Sequence, residues 1–429
     1  MTKQPSTAPI GPHTIQRFTL SNGIKLIVQE NHASPSVVVR GHLWAGSVND
    51  PPEQTGLARF TASAVTHGTT TRTFQEINEI TESVGANVFV GGGLHLSNVG
   101  GKSLAEDFGL LVEVLADVLR NPTFPQGEVD KVRGQIVTGL KELEDDTQGL
   151  ASREFRRLLY TDQHPYGRPG DGTLDSVPGI KRDDLVQFYH AHFRPEGAII
   201  VVVGDVQAEP VRDRLEAALG DWQPPGAPPS FEIPTVEPLA ERRRYVRTMT
   251  NKTQADIALG TVGPARAAED FYAARLADLI LGQLGLMGRL GEAVRDKQGL
   301  AYYAFSGLEG GLGRGPWSVR AGVNPANVDQ AIESILAEIA RLRDEPVADQ
   351  ELEDGQDYLT GVLPLRLETN EGIAGTLLDI ELYRLGDDYI IRYPHLIRAV
   401  TQMQIQAAAQ TYLNPEHYAL VIVGPYEEK

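Results

Sequence analysis

Positions 59, 62 and 63 have the spacing at which a helix presents side chains on one side. Imidazoles at 59 and 63 would hold a zinc ion there, and a carboxylate at 62 would activate the zinc-bound water. The residues present cannot do this chemistry. Arg59 offers only hydrogen-bond donors, Ala62 has no titratable group, and Ser63 is a poor zinc ligand.

A second pair of residues could act on a substrate without binding a metal. Arg295 and Tyr302 stand seven residues apart in the segment 290–303, LGEAVRDKQGLAYY. A tyrosine hydroxyl can donate a hydrogen bond to a developing oxyanion, and an arginine can hold a backbone carbonyl of a peptide. Taken by itself, this spacing is also consistent with a purely structural role, in which the arginine forms a surface ion pair and the tyrosine packs in a strand.

The residues around position 59 resemble the active-site helix of the pitrilysin/insulinase-type (M16) zinc peptidases, which carries the motif His-x-x-Glu-His. The resemblance rests on Gly46-Ser47, on Gly56-Leu57-Ala58, and on Gly68-Thr69. It implies that Arg59 and Ser63 replace the two histidines and that Ala62 replaces the glutamate.

The third zinc ligand of that family is a glutamate on a later helix, found after an Arg-Gly pair. Here Arg133-Gly134 leads to Gly139 at the corresponding position, before Glu144-Asp145-Asp146. The resemblance therefore implies that all four metal-site positions (Arg59, Ala62, Ser63, Gly139) are degenerate and that this chain binds no catalytic zinc.

The resemblance extends over nearly the whole chain. The family's second domain supplies an arginine and, seven residues later, a tyrosine that meet the substrate opposite the zinc, and Arg295 and Tyr302 match that pair. Some bacterial members are two-chain enzymes, in which one chain keeps the zinc motif and the other keeps the arginine–tyrosine pair. Other members are core subunits of respiratory complexes that keep the fold as scaffolds.

Composition excludes several classes of function. A net charge of −18 argues against nucleic acid as a partner, because phosphate binding needs clustered cations. The sequence has no cysteine, so it has neither disulfides nor thiolate metal sites. No apolar run reaches the roughly 18 residues of a membrane span. The polar, proline-rich N-terminus has no apolar signal segment, and we expect a cytoplasmic protein.

The chain repeats itself. The segment Phe193-Arg194-Pro195-Glu196 precedes an apolar run that ends at Gly204, and Leu413-Asn414-Pro415-Glu416 precedes a second run that ends at Gly424. The two prolines (195 and 415) and the two glycines (204 and 424) are each 220 residues apart. An identical offset at two landmarks indicates a duplicated domain.

The repeat and a proline-rich stretch predict the domain organisation. We expect an N-terminal M16-like domain over residues 1–223, a linker over 224–230 (PPGAPPS), and a C-terminal M16-like domain over 231–429. The predicted fold class is α+β. Each homologous domain would be a largely antiparallel sheet flanked by helices, as the resemblance to mitochondrial processing peptidase also implies.

Local patterns in the first half predict individual elements. Residues 18–30 have the pattern of a hairpin, and 37–44 that of a strand. Thr73 and Glu76 form a capping box that opens a helix over 73–84. Ser103 and Glu106 suggest a second box, before a helix whose core face is Phe108, Leu111, Leu115 and Val118.

These observations lead to one hypothesis and one alternative. The hypothesis is a non-catalytic subunit of a heterodimeric zinc endopeptidase, one half of a clam-shell chamber, with Arg295 and Tyr302 acting on peptides in trans. The partner would be an M16 chain that bears His-x-x-Glu-His and supplies the zinc, and the peptide would bind as an added β-strand. The alternative is a structural or peptide-binding M16 scaffold, such as a homodimer, without peptidase activity. On either reading the chain is not a zinc peptidase on its own.

Overall fold

The computed structural model describes residues 10–227, 232–284 and 288–427, and these fall into two compact units. Unit 1 is built from residues 10–140, 170–227 and 362–392, and unit 2 from 141–169, 232–361 and 393–427. Each unit therefore includes a segment from the other half of the sequence. The predicted domain boundaries assign both of these segments, 362–392 and 141–169, to the other domain. The division at 224–230 stays a prediction, and residues 228–230 of that linker lie outside the described residues.

Unit 1 contains a six-stranded sheet in the order β1-β2-β6-β3-β5-β4, whose neighbours are antiparallel except for the parallel pair β2–β6. The predicted hairpin is confirmed as β1–β2, and the predicted strand at 37–44 is confirmed as β3. The strands are β1 (Ile15–Thr19), β2 (Lys25–Glu30), β3 (Ser36–Leu43), β4 (Asn87–Gly92), β5 (Ser97–Leu104) and β6 (Ile199–Gly204).

Unit 2 contains a five-stranded sheet in the order β7-β11-β8-β10-β9, with one parallel pair, β7–β11. This order reproduces that of unit 1 without β1, and β6 and β11 are the two apolar runs 220 residues apart. The α+β fold is therefore confirmed. The strands are β7 (Arg243–Thr248), β8 (Ala255–Val262), β9 (Ala301–Leu308), β10 (Pro316–Val323) and β11 (Ala419–Gly424).

Helices flank both sheets, and among the described residues none combines the length and the apolar character needed to cross a membrane. They are α1 (Leu57–Ala64), α2 (Phe74–Glu82), α3 (Phe108–Arg120), α4 (Gln126–Leu143), α5 (Thr147–Tyr160), α6 (Arg182–His192), α7 (Ala208–Leu219), α8 (Phe271–Asp278), α9 (Val328–Asp344), α10 (Asp349–Arg366), α11 (Asn370–Leu382), α12 (Tyr389–Arg398) and α13 (Gln402–Tyr412). Two π-helical turns span Leu279–Gln283 and Gly291–Asp296.

Two of these helices have corresponding roles in the two units. In unit 2, α5 packs against β8 and β11, and in unit 1, α11 packs against β3 and β6. Each helix begins after a side-chain cap, Asp146 for α5 and Thr369 for α11. Soon after each helix comes a residue with positive φ, Thr161 at 65° and Arg384 at 54°. The duplication therefore includes the helices that cover the second faces of the sheets.

One predicted capping box is correct and the other is wrong. Thr73 and Glu76 form both reciprocal bonds at the start of α2. Ser103, in contrast, lies in β5, which continues to Leu104 because it pairs with β3 along its whole length. The following helix, α3, starts at Phe108 without a side-chain cap. Its predicted core face is correct, since Phe108, Leu111, Leu115 and Val118 are all buried.

We predict that Thr73→Ala lowers the free energy of unfolding by about 1 kcal/mol, because the first turn of α2 loses its side-chain acceptor. Urea unfolding followed by circular dichroism measures this change. Thr70→Ala is the matched control, since Thr70 is an exposed threonine nearby whose side chain makes no hydrogen bond within the described part of the chain. Equal losses in the two variants would contradict the prediction.

Candidate functional site

Helix α1 presents the two degenerate ligand positions to solvent. Arg59 and Ser63 are its exposed residues, and the other six are buried. The sequence places position 62 on the same side as these two, but Ala62 is fully buried in the core of unit 1. The helix is therefore packed into the core through most of its residues. Only positions 59 and 63, on its solvent-facing side, have the spacing of two metal ligands.

The start of α1 is fixed by a buried carboxylate. Asp50 accepts hydrogen bonds from the backbone N–H groups of Gly56 and Ala58, each at 2.8 Å. Gly56 has a φ of 95°, which a glycine adopts without strain. A carboxylate that satisfies two N–H groups at a helix N-terminus, where the helix dipole favours negative charge, fixes the direction of the helix.

Arg59 is committed to an ion pair in unit 1. Its guanidinium donates to the carboxylate of Asp171. The loop that carries Asp171 lies close to the helix start, because a β-carbon on Gly56 would stand 2.8 Å from the Cα atom of Gly172. The sequence could not have revealed this partner, which lies 112 residues from Arg59.

Glycines allow strand β4 to lie directly against α1. A β-carbon on Gly92 would stand 2.8 Å from the Cα atom of Arg59, and one on Gly46 would overlap the backbone of His95. A β-carbon on Gly91 would meet no atom within 4 Å. Gly92 is therefore needed for the contact between the helix and the edge strand, whereas the open space beside Gly91 would accept a side chain.

The residues at this site do not fit a zinc ion. Gly139 lies exposed on α4 with open space around it, and α1 offers a paired guanidinium, a methyl group and a hydroxyl. Across the described residues no group of three or more histidine, aspartate or glutamate side chains is placed to hold a metal ion. A zinc site needs three or four such donors, so no step of catalysis can be assigned to a metal on this helix.

In unit 2, Arg295 and Tyr302 are joined by a short, well-defined turn. Arg295 lies in the π-helical turn Gly291–Asp296, and Tyr302 lies in β9. Gly299, at a φ of 62°, ends the turn and donates its N–H to the carbonyl of Arg295 at 3.0 Å. The N–H of Leu300 bonds the carbonyl of Val294 at 3.0 Å. The backbone of Arg295 is therefore tied to the chain that enters β9.

Tyr302 projects outward because it is the extra residue of a β-bulge. The register of β9 on β10 shifts between Gly322 and Val323, which pair with Tyr303 and Ala301. The residue between those two is left unpaired, and 60% of the surface of Tyr302 is exposed. Among the described strands β9 has a partner on one side only, so this side chain stands beside a row of backbone groups that no described strand pairs with.

The neighbouring tyrosine is held in the opposite manner. The ring of Tyr303 lies over Gly322, where a β-carbon would overlap its Cε1 atom, and its hydroxyl donates to the buried carboxylate of Asp256 on β8. Burial raises the pKa of this hydroxyl, as does its bond to Asp256, so it stays protonated. Thr147 and Gln254 also donate to Asp256. Tyr303 was not singled out from the sequence, and the Tyr-Tyr pair is its only local signal.

Arg295 and Tyr302 are both exposed, and neither side chain has a hydrogen bond or an ion pair within the part of the chain that the structure describes. No hydrogen bond or cation–π contact joins them there. Two polar side chains next to an open edge strand are thus available to a ligand. Their role in catalysis stays a prediction.

Comparisons with known proteins establish the family. Residues 25–166 match the family model described as Insulinase (Peptidase family M16), and residues 179–359 match the model described as Peptidase M16 inactive domain. The chain belongs to the M16 peptidase family. The resemblance seen in the sequence is therefore confirmed.

Individual relatives are similar over most of their length. An uncharacterized zinc protease of Streptomyces coelicolor is 28% identical and aligns over 98% of this chain and 91% of its own. A Helicobacter pylori relative named a non-peptidase homolog is 25% identical over 81% and 79% of the two chains. The crystal structure of a peptidase M16 inactive domain from Pseudomonas fluorescens has a TM-score of 0.90 at 24% identity, over 97% and 98% of the chains, which shows the shared fold alone.

We predict that Gly322→Ala destabilises unit 2 by about 1–3 kcal/mol, because the added methyl group would overlap the ring of Tyr303 and the amide of Gln254, which both donate to the buried carboxylate of Asp256. Hydrogen–deuterium exchange of peptides covering β9 and β10 should rise together with the loss of stability. Gly307→Ala is the control in the same sheet, since a β-carbon there meets no atom within 4 Å. Unchanged exchange in Gly322→Ala would show that Tyr303 does not anchor β9.

Proposed function

We propose that this chain is the non-catalytic subunit of a heterodimeric zinc endopeptidase that acts on peptides. The partner would be an M16 chain bearing His-x-x-Glu-His, which supplies the zinc ion and the general base. This chain would supply Arg295 and Tyr302 to the substrate in trans. Two observations together carry the proposal. Helix α1 keeps its fold although its zinc-binding residues are replaced, and the side chains of Arg295 and Tyr302 are exposed and unpaired among the described residues.

The first support is the chemistry of α1. A zinc peptidase needs a Lewis acid and a base, and positions 59, 62, 63 and 139 supply residues for neither. The helix is nevertheless held by Asp50, by Gly92 and by six buried residues. An element that keeps its fold without its ligands suits a subunit whose partner carries the metal.

The second support is the placement of the arginine and the tyrosine. A neutral tyrosine hydroxyl can donate to the oxyanion that forms when a peptide carbonyl is attacked, and a guanidinium can donate to a neighbouring backbone carbonyl. Both residues are fixed through the backbone, Arg295 by the Gly299 turn and Tyr302 by the bulge of β9. A fixed backbone restricts where each donor group can lie when a substrate binds, which favours transition-state stabilisation.

The edge strand β9 supports a peptide as the substrate class. An extended peptide can add to an open sheet edge through backbone hydrogen bonds, whatever its sequence. The cytoplasmic location and the zinc on the partner chain belong to this proposal as well.

A scaffold without peptidase activity is the second candidate, and the name of the Helicobacter pylori relative, a non-peptidase homolog, favours it. That candidate predicts that the purified chain self-associates as a homodimer and gains no activity with any zinc-bearing M16 chain of its host. A pull-down from the host cell, with identification of the captured M16 chains, distinguishes the two.

We predict that Tyr302→Phe lowers kcat of the reconstituted heterodimer roughly 10²-fold with little change in KM, because one oxyanion donor is lost. Peptide cleavage would be assayed with this chain co-purified with its zinc-bearing partner. Tyr245→Phe is the matched control, since Tyr245 is an exposed tyrosine on β7, the opposite edge of the same sheet. Zinc content should be equal in all samples. Unchanged turnover by Tyr302→Phe would refute the assigned role.

A further inference from the structure

Unit 1 contains an open cavity of about 260 Å³ between strand β3 and helix α11, which we call the β3/α11 pocket. Small residues leave it open, since a β-carbon on Gly375 would meet no atom within 4 Å. The polar residues on its wall are Arg40 and His42 of β3, Asn98 of β5, Arg366 of α10, and Thr376 and Asp379 of α11.

Arg40 is held in place on the wall of this pocket by an aromatic ring. Arg40 and Phe89 both pair with Gly100 of β5, so no side chain separates them. The guanidinium lies over the Phe89 ring at 5.2 Å from its centroid. Among the described residues the side chain of Arg40 has neither a hydrogen bond nor an ion pair. A guanidinium held over a ring loses part of its freedom and keeps its N–H groups free for an anion.

Arg366 provides the second cation. It is exposed at the last position of α10, and its side chain has no hydrogen bond or ion pair in the described part of the chain. Its backbone carbonyl lies so close to Gly372, in the first turn of α11, that a β-carbon there would overlap it. The base of this side chain is therefore fixed, although its end is free.

The charges around the pocket sum to a positive excess. Asp379 is the one carboxylate among the described residues of the wall. Glu371, which lies near Arg40, is already paired with Lys102 at 2.6 Å. Burial lowers the pKa of His42, so this imidazole is neutral at pH 7. Two guanidinium groups thus face one carboxylate, in a chain whose net charge is −18.

We propose that the β3/α11 pocket binds a small oxyanion of the size of a carboxylate or a phosphate, held between Arg40 and Arg366. Guanidinium groups bind both oxyanions through paired N–H···O bonds, and the amide of Asn98 on the wall can add a donor. The source of the oxyanion is either a free phosphate or the terminal carboxylate of a peptide. The pocket lies in unit 1 and involves neither Arg295 nor Tyr302, so it stands or falls separately from the proposed catalytic role.

Isothermal titration calorimetry on the full chain, at low salt in a buffer free of phosphate and carboxylates, tests the proposal. The probes are inorganic phosphate, an N-acetylated tripeptide with a free C-terminal carboxylate, and the same peptide as its amide. We expect saturable binding of phosphate, of the acid peptide, or of both, and none of the amide. Phosphate binding alone would identify a free anion as the source, and acid-peptide binding alone would identify a peptide terminus.

Arg40→Gln and Arg366→Gln should each weaken binding by about tenfold or more, because each removes a charge-assisted pair of donors. Arg384→Gln is the matched control, since Arg384 is exposed, belongs to unit 1, has no ion pair among the described residues, and lines a different cavity. If a Gln variant fails to fold by circular dichroism, Arg→Lys at that position replaces it. Binding that is absent from the wild type, or equal in all variants, would overturn the proposal.

Discussion

Each sheet of this protein has a central strand that must be shielded from water on both faces, and this requirement dictates how the chain is used. Strands β6 and β11 are buried at every position, as expected for continuous apolar runs. One face is covered by helices from the neighbouring sequence, and the other by α11 in unit 1 and by α5 in unit 2. A unit cut from one continuous half of the sequence would therefore leave an apolar face uncovered, which is why each unit takes in a remote segment.

The same requirement explains how a metal site can disappear without loss of the fold. In α1 the packing is carried by six buried residues, and positions 59 and 63 face solvent. Side chains at these two positions contribute little to the core, so folding does not discriminate a histidine there from an arginine or a serine. The glycines around the helix are different, because Gly46 and Gly92 touch backbone atoms directly. Packing therefore constrains the glycines and the buried residues of α1, whereas only the chemistry of metal binding constrains positions 59 and 63.

How much could be predicted from the sequence depended on the range of the interaction. The hairpin at 18–30, the cap at Thr73 and the repeat with an offset of 220 residues are local or periodic signals, and the structure confirms them. The box at Ser103 failed because a strand partner far along the chain decided where β5 ends. The pairs Arg59–Asp171 and Tyr303–Asp256 join residues 112 and 47 positions apart, and no pattern in a single sequence encodes such distances. Position 62 was misplaced because a spacing alone does not fix the rotation of a helix against its core.

Both sheets contain a glycine in the strand next to an edge, and a side chain reaches across it from one flanking strand to the other. Phe89 meets Arg40 across Gly100, and Tyr303 meets Asp256 across Gly322. In mechanical terms a side-chain contact ties each edge strand to the third strand of its sheet, and the glycine of the second strand leaves room for that contact. Such an edge strand resists fraying, and a shift of its register by two residues would break this side-chain contact. A peptide that added to such an edge would therefore pair with a strand whose register is already fixed. Ordering that strand would take little of the free energy of binding.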